Sequence, residues 1–515
     1  MSAAEKSREL LLKLSPRIKG HEAIAADLCG HLPLALEVFA GVVSEKRLHP
    51  VEELVARLRK QDEKLGTVVA TFQVSYDLLE QSLRRCWSLL GIFPAGFDLP
   101  AAASIWERKM EASRDIMEAL LNASLVETDE AKRRFRVHDL VRQFCNGKLG
   151  DAERDAAMMR YARHYAKVGD EADELYLKGG ENVLRGLELF DRERNHIEAA
   201  YEWLAPKRDE ACAALLISLV DAVVYTGQGL RFHPRQSIRW LESQCDAARI
   251  TKNREAEGWA LCNLGIAHLA LGESRKAIEF HEKALVIDRE VGNRLAEGQV
   301  LGNLGLAYAA LGEPRKAIEF YEQRLVIARE IGDRRGEGNA LGNLGNAFFV
   351  LGEPRKAIEF HEQQLAITRE IGDRRGEDIA LGNLGNAYSD LGEARKAIEF
   401  YEKALVVDRE IGDRRGEAQD LGNLGLAYAD LEQPREAIEF FEQQLVITRE
   451  IGDRRGEGSA LWNSALALDI LGDRAKAIAR AEAALKICEA IESPHAAKVR
   501  AKIEEWRGGG GKAEG

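Results

Sequence analysis

The chain of 515 residues has no stretch approaching the roughly 18 uninterrupted apolar residues that a membrane span requires. No apolar signal core follows the opening Met1-Ser2-Ala3-Ala4-Glu5-Lys6, so the reading predicts a cytoplasmic protein. Cysteines are few. Cys29, Cys86, Cys145, Cys212, Cys245, Cys262 and Cys488 are scattered, odd in number and never in a Cys-x-x-Cys pair, which predicts reduced, buried thiols and no metal cluster. Eleven prolines, with abundant Ala, Leu, Glu and Arg, predict helix nearly throughout. A basic surplus is also missing: 73 Lys and Arg stand against 85 Asp and Glu, a net charge of −12, which argues against a nucleic-acid coat. No Ser/His/Asp set, carboxylate pair or metal-ligand spacing stands out, so neither catalysis nor a bound metal is expected.

What is present is repetition. The octet Glu-Ile-Gly-Asp-Arg-Arg-Gly-Glu begins at Glu330, Glu370, Glu410 and Glu450, 40 residues apart each time, with a looser copy from Glu290. Residues 258–491 thus read as six tandem units, with Arg249–Gly258 ending a degenerate seventh upstream. Each unit reads as two helices. Gly372 is placed as a left-handed cap of one and Asp373 as the N-cap of the next, while Gly352 and Pro354 mark the turn between the pair. One such pair cannot bury its apolar faces alone, so neighbours must stack into a solenoid.

The skeleton Leu301, Leu304-Gly305, Tyr308, Ala317, Tyr321 recurs at Leu341, Leu344-Gly345, Phe348, Ala357 and at Leu381, Leu384-Gly385, Tyr388, Ala397, Tyr401. It resembles the tetratricopeptide repeat in the lengthened form of kinesin light chains and spindle-orientation adaptors. That resemblance implies a right-handed α-solenoid whose first helices line a concave groove. It sets one Asn per unit toward the groove: Asn263, Asn303, Asn343, Asn383, Asn423 and Asn463. An amide both donates and accepts, so a ladder of them suits the backbone of an extended peptide. Holding helix to helix is the competing role. Gly302, Gly342, Gly382 and Gly422 admit close approach by a ligand or a neighbouring helix. The core is nearly invariant between units, but other groove positions vary: Ile266, Leu306, Asn346, Asn386, Leu426 in one set, and Ala270, Ala310, Val350, Asp390, Asp430 in another. A fixed scaffold with a varied inner face is what selectivity for a partner requires. The Arg-Arg pairs read as a solvated, locally neutral rim rather than a phosphate stripe, because Asp and Glu alternate with them.

In the first 150 residues, helical patterns precede two short β-prone runs, Ser124–Thr128 and Phe135–Val137, an order that makes a winged helix. Gly30-His31-Leu32-Pro33-Leu34-Ala35 and Val137-His138-Asp139-Leu140 resemble the Gly-Leu-Pro-Leu and Met-His-Asp motifs of NB-ARC switch ATPases, a class within the STAND group of signal-transducing proteins. Residues 189–200 resemble the helix linking such ATPases to tetratricopeptide sensors. The resemblance implies residual ADP contacts from Pro33 and His138. The Gly-x-x-x-x-Gly-Lys-Ser/Thr phosphate loop is missing upstream, and Gly508–Lys512 is followed by Ala513, so no cofactor is expected without another domain. His138 alternatively pins the winged helix to a neighbour. Lys132-Arg133-Arg134-Phe135-Arg136 is a candidate DNA-contacting wing, set against the acidic balance of the chain.

The expected architecture is mainly α: a helical NB-ARC-like remnant (1–62), a winged helix with a small β-hairpin (63–150), a helical linker with a degenerate repeat (151–257), six repeats (258–504) and a flexible tail (505–515). The expected function is non-catalytic capture of a peptide or protein partner in the repeat groove of a signalling or regulatory protein. The alternatives are the sensor half of an ADP/ATP switch whose nucleotide domain lies upstream or on another chain, and a winged-helix transcription regulator.

Overall fold

The computed structural model describes residues 2–65, 67–129 and 133–508. The fold is mainly α, with one two-stranded antiparallel sheet and a run of repeated helix pairs. Contacts along the chain divide it into two units, Met1–Ala260 and Leu261–Gly515.

The first unit begins with helix Ala3–Leu14, capped by Ser2 with Glu5 completing the capping box. Together with helices Glu22–Leu28, Pro33–Glu45 and Val51–Leu65 it buries Leu11, Phe39, Leu54 and Leu58 in one core. Helix Thr67–Leu78 serves two cores. Its Ala70 and Val74 enter the first, whereas Phe72 and Tyr76 meet Phe144 edge-on in the second. The strands are Glu127–Asp129 and Arg134–Arg136, with Thr128 opposite Phe135. They are displaced from the runs expected from sequence because Leu125 and Val126 go into the core and Val137 leads into the next helix cap. Helices Asp151–Lys178 and Glu181–Leu204 fold back on each other at Gly179-Gly180, both at positive φ. At their crossing a Cβ on Gly186 would lie 2.5 Å from the Ala172 carbonyl oxygen, so only glycine fits. After helix Glu210–Asp221, buried Asp173 holds the π-helical segment Val224–Arg231 by accepting from the backbone N–H groups of Tyr225 and Thr226, each at 2.8 Å.

The second unit is built from pairs of 17- or 18-residue helices. Repeats 2 to 6 start at Arg294, Arg334, Arg374, Arg414 and Arg454; repeat 1 starts with helix Arg254–Ala270. Asp333, Asp373, Asp413 and Asp453 accept from the N–H of Gly336, Gly376, Gly416 and Gly456 at 2.9–3.0 Å, and Gly332, Gly372 and Gly412 follow the preceding helices at φ near +70°. Within a pair, the Leu-Gly step has a steric cause. A Cβ on Gly305 would fall 2.3 Å from the Tyr321 ring, and His281, His361, Tyr401 and Phe441 fill the same slot in the other repeats.

The octet is explained by ion pairing. Glu297, Glu337, Glu377, Glu417 and Glu457 are buried, and each accepts from an arginine of the preceding helix (Arg289, Arg329, Arg369, Arg409, Arg449) at 2.7–2.9 Å. In the first three octets the first arginine pairs with its octet's buried glutamate and also reaches the end of its own repeat, as Arg334 does with Glu337 and Glu370. The result is a rail of alternating charge across successive repeats, built from charge-assisted bonds to buried carboxylates. Helix Ala496–Gly508 closes the stack, placing Val499, Ile503 and Trp506 against Ala465, Ala477 and Ala481. Residues 505–508, expected in a tail, therefore belong to this closing helix, and 509–515 lie outside the described residues.

Candidate functional site

The Leu of each Leu-Gly step is buried (Leu264, Leu304, Leu344, Leu384, Leu424), which leaves the preceding Asn half-buried at the edge of its helix. Asn343, Asn383, Asn423 and Asn463 make no side-chain hydrogen bond to any group among the described residues. Asn303 alone reaches a neighbouring repeat, with Nδ2 donating to Cys262 Sγ at 3.4 Å, and Asn263 Nδ2 is buried without a partner. Helix-to-helix bonding accounts for one amide of the six.

The glycines before these Asn residues are covered from within the array. Extra atoms on Gly302, Gly342 and Gly422 would collide with Arg324, Gln364 and Gln444 of the second helix, while Gly382 is open except toward Asp420. Among the varied positions, Ile266, Leu306, Leu426 and Val350 are exposed apolar side chains, and Asn346, Ala270, Ala310, Asp390 and Asp430 are exposed too. Asn386 departs from the expected free amide: its Oδ1 accepts from the Tyr401 hydroxyl at 2.8 Å, because Tyr401 is long enough to cross its own repeat where His361 is not. The second arginines, Arg335, Arg375, Arg415 and Arg455, are exposed and have no ion-pair partner among the described residues, unlike their neighbours in the rail. A cavity of about 150 Å³ opens between repeats 3 and 4, lined by Arg335, Asn339, Arg375 and Ile379; another, of about 400 Å³, takes in Asn463, Trp462 and His495 beside the closing helix.

The residues singled out in the first unit behave differently. Pro33 is exposed at the first position of its helix. His138 N-caps helix Asp139–Lys148, with Nδ1 accepting from the Leu140 N–H at 3.3 Å. Part of the basic wing is held within the protein, while Arg133 and Arg136 are exposed. Arg134 forks onto buried Glu193 at 2.5 and 3.0 Å and also donates to the Gly96 carbonyl, while Phe135 exchanges backbone hydrogen bonds with Phe97. Lys132 lies outside the described residues. Burial pushes the Glu193 carboxyl up, but the bonds and charge of Arg134 outweigh it and hold the group below its ordinary value. Beside this pair, His196 is fully buried, bonded to the Tyr161 hydroxyl (2.8 Å) and the Gly96 carbonyl (2.9 Å). Sequence reading missed this cluster, whose members are scattered from Gly96 to His196. It also missed Asp378, Asp408 and Asp420, visible only when the repeats are aligned on their period.

The family model described as tetratricopeptide repeat matches residues 256–330, 336–410 and 416–490. These segments are tetratricopeptide repeats. The chain is 29% identical over 313 residues to the regulatory protein AfsR of Streptomyces coelicolor, a match covering 53% of this chain and 31% of AfsR. It is 25% identical over 156 residues to the disease resistance RPP8-like protein 3 of Arabidopsis thaliana, covering 25% of this chain and 17% of that protein. The chain thus spans less than a third of the length of these relatives. A crystal structure of a signal transduction ATPase with numerous domains, carrying a tetratricopeptide repeat sensor and coming from Pyrococcus horikoshii, aligns with 98% of this chain and 74% of that one at 17% identity and a TM-score of 0.49. No single helix among the described residues is long and apolar enough to cross a membrane.

Proposed function

We propose that the tetratricopeptide array captures an extended segment of a protein partner, and that the chain is the sensing part of a STAND-type regulatory protein whose nucleotide chemistry lies outside it. The observation that carries the capture mechanism is the row Asn343, Asn383, Asn423: three amides at equivalent positions of consecutive repeats, partly exposed and with no side-chain hydrogen bond among the described residues. Packed helices generally lie about 8–10 Å apart, close to three residues of extended chain at about 3.3 Å each, so one amide per repeat can keep step with a peptide backbone. Exposed Leu306, Val350 and Leu426 supply apolar contacts, and Arg335, Arg375 and Arg415 supply positive charge for an acidic partner. The chain itself performs no catalysis in this reading, and its seven buried cysteines, none of them in a disulfide among the described residues, suit a reducing cytoplasm.

The test is a display screen of extended peptides against the full chain, followed by affinity measurement on N343A/N383A. Each lost amide–backbone contact costs about 0.5–1.5 kcal/mol, so the double variant binds roughly 5- to 150-fold more weakly. Unchanged affinity in a folded variant refutes the ladder. A second reading, that the chain is the sensor half of an ADP/ATP switch completed elsewhere, is favoured by the similarity to AfsR and to the resistance protein. It predicts that ADP is retained only when a nucleotide-binding domain is supplied.

A further inference from the structure

Aligned on the 40-residue period, the repeats carry Gly258, Gly298, Gly338, Asp378, Ala418 and Gly458 at one position of the first helix, and Ala260, Val300, Ala340, Ala380, Asp420 and Ala460 at another. One position of the second helix reads Asp288, Ala328, Thr368, Asp408, Thr448, Cys488. At the first two positions a carboxylate occurs once each, and both fall at the junction of repeats 4 and 5, where Asp408 joins them. One oxygen of each of Asp378, Asp408 and Asp420 lies within 4.8 Å of the others.

No hydrogen-bond donor among the described residues reaches the buried oxygens of Asp408 or Asp420 Oδ2; Asp378 and Asp408 face each other and can share only a proton. Asp408 is 0% exposed with both carboxylate oxygens unpartnered, and Asp420 is 5% exposed with Oδ2 unpartnered. At the sibling position Thr368 and Thr448 satisfy themselves, donating to the Leu365 and Leu445 carbonyls. The charged neighbours give little relief. Asp413 and Glu417 add negative charge; Asp413 is already engaged as an N-cap, and Glu417 already holds Arg409 and Arg414. Arg375 is the cation whose charge reaches Asp378. The preceding junction, where Gly338 and Thr368 replace the aspartates, has its cavity of about 150 Å³ at the equivalent place, so the architecture leaves room there. Carboxylates buried together without a counter-charge are too costly to keep, and three convergent oxygens without His or Cys select a hard cation.

We propose that Asp378, Asp408 and Asp420 bind one hard divalent cation of the Ca²⁺, Mg²⁺ and Mn²⁺ class, which clamps repeat 4 to repeat 5. Asp378 and Asp408 come from the two helices of repeat 4 and Asp420 from the first helix of repeat 5, so the ion joins neighbouring repeats independently of any ligand in the groove.

The experiment uses the full chain, stripped with EDTA and titrated calorimetrically with Ca²⁺, Mg²⁺ and Mn²⁺ in turn, with thermal melts alongside. The control is D378G/D408T/D420A, whose new residues stand at these positions in sibling repeats and are compatible with the fold; D408N is the second, minimal variant. The expected result is one site per chain for at least one of the three ions and a melting temperature raised by that ion. The triple variant then loses at least 100-fold in affinity and the cation response of its melt, and D408N loses at least 10-fold. No stoichiometric binding of any of the three, equal binding by the variants, or a melting temperature that follows pH but ignores cations and EDTA would each overturn the proposal.

Discussion

Two buried histidines show how differently the two units are held together. In the first unit His196 has a partner for each ring nitrogen and stacks on Tyr165 with centroids 4.6 Å apart. In the second unit His281 is equally buried, yet neither ring nitrogen has a hydrogen-bond partner. Its position is filled by Tyr321, His361, Tyr401 and Phe441 in the following repeats, each seated over the glycine of a Leu-Gly step. The repeat thus demands a flat ring of about that size and is tolerant of its chemistry. Around Arg134, Glu193 and His196 the first unit instead gives buried polar groups specific partners, each used once. The ring slot of the repeats is held by shape that recurs, this cluster by pairings that occur a single time.

The sharpest way to break this contrast is to remove a single-use pairing. Glu193→Ala leaves the Arg134 guanidinium half-buried beside Gly96 without its counter-charge, a loss of about 3–5 kcal/mol by the usual cost of orphaning one member of a buried pair. Chemical denaturation followed by near-ultraviolet circular dichroism measures it, because Phe93, Phe97 and Tyr161 pack in the same cluster. Glu353→Ala, which removes an exposed partner of Lys356 in repeat 3, should change stability by no more than about 0.5 kcal/mol. Equal losses would show that the Arg134–Glu193 pair is solvated in practice.

The second test sharpens the comparison through pH. Burial lowers the His281 pKa from its ordinary 6.5 to about 4. Between those values the unfolded chain takes up a proton that the folded ring refuses, so the contribution to stability is intact above about pH 6.5 and is lost as the pH falls toward 4. That window spans about 3 kcal/mol. His281→Tyr, borrowing the residue of repeats 2 and 4, should flatten this part of the stability–pH curve without unfolding the repeat. An unchanged slope would place the acid sensitivity elsewhere.

Legibility in the sequence divides along the same line. The helix pairs, the Asp N-caps and the glycine caps were all readable because each signal recurs every 40 residues and is local: Asp373 caps three residues away, at Gly376. The amide row was readable on the same grounds, although Asn386 shows the limit, since its engagement depends on whether a tyrosine or a histidine stands at position 401. The octet was recognised but its purpose was not. The link from Arg334 to Glu370 spans 36 residues, and one repeat of sequence does not reveal which carboxylate meets which guanidinium. In the first unit the anchoring of Arg134 was not legible, because its acidic partner, Glu193, lies 59 residues beyond it. The aspartate cluster was invisible for the opposite reason: its residues look ordinary until set against the Gly, Ala and Thr of the siblings.

The smallest effect expected is inside the array itself, where the rail sets its middle against its end. Glu377 holds Arg369 at 2.7 Å and also Arg374, and Arg374 continues to Glu410, so the chain of charges is unbroken there. At the far end Arg454 pairs with Glu457 and goes no further, because Ala490 stands where the earlier repeats have glutamate. Glu377→Gln keeps the shape and one acceptor oxygen but removes the charge, at a cost of about 1–2 kcal/mol; Glu457→Gln costs less, since fewer pairs depend on it. Stability in a linear stack is close to a sum of repeats and their interfaces, so weakening an inner junction loosens both neighbours whereas weakening the last one frays an end. Amide hydrogen exchange distinguishes the two. Faster exchange in repeats 3 and 4 for Glu377→Gln, and only in repeat 6 and the closing helix for Glu457→Gln, is the expected pattern; identical, array-wide acceleration would mean the repeats unfold as one block and that the rail adds no local cohesion.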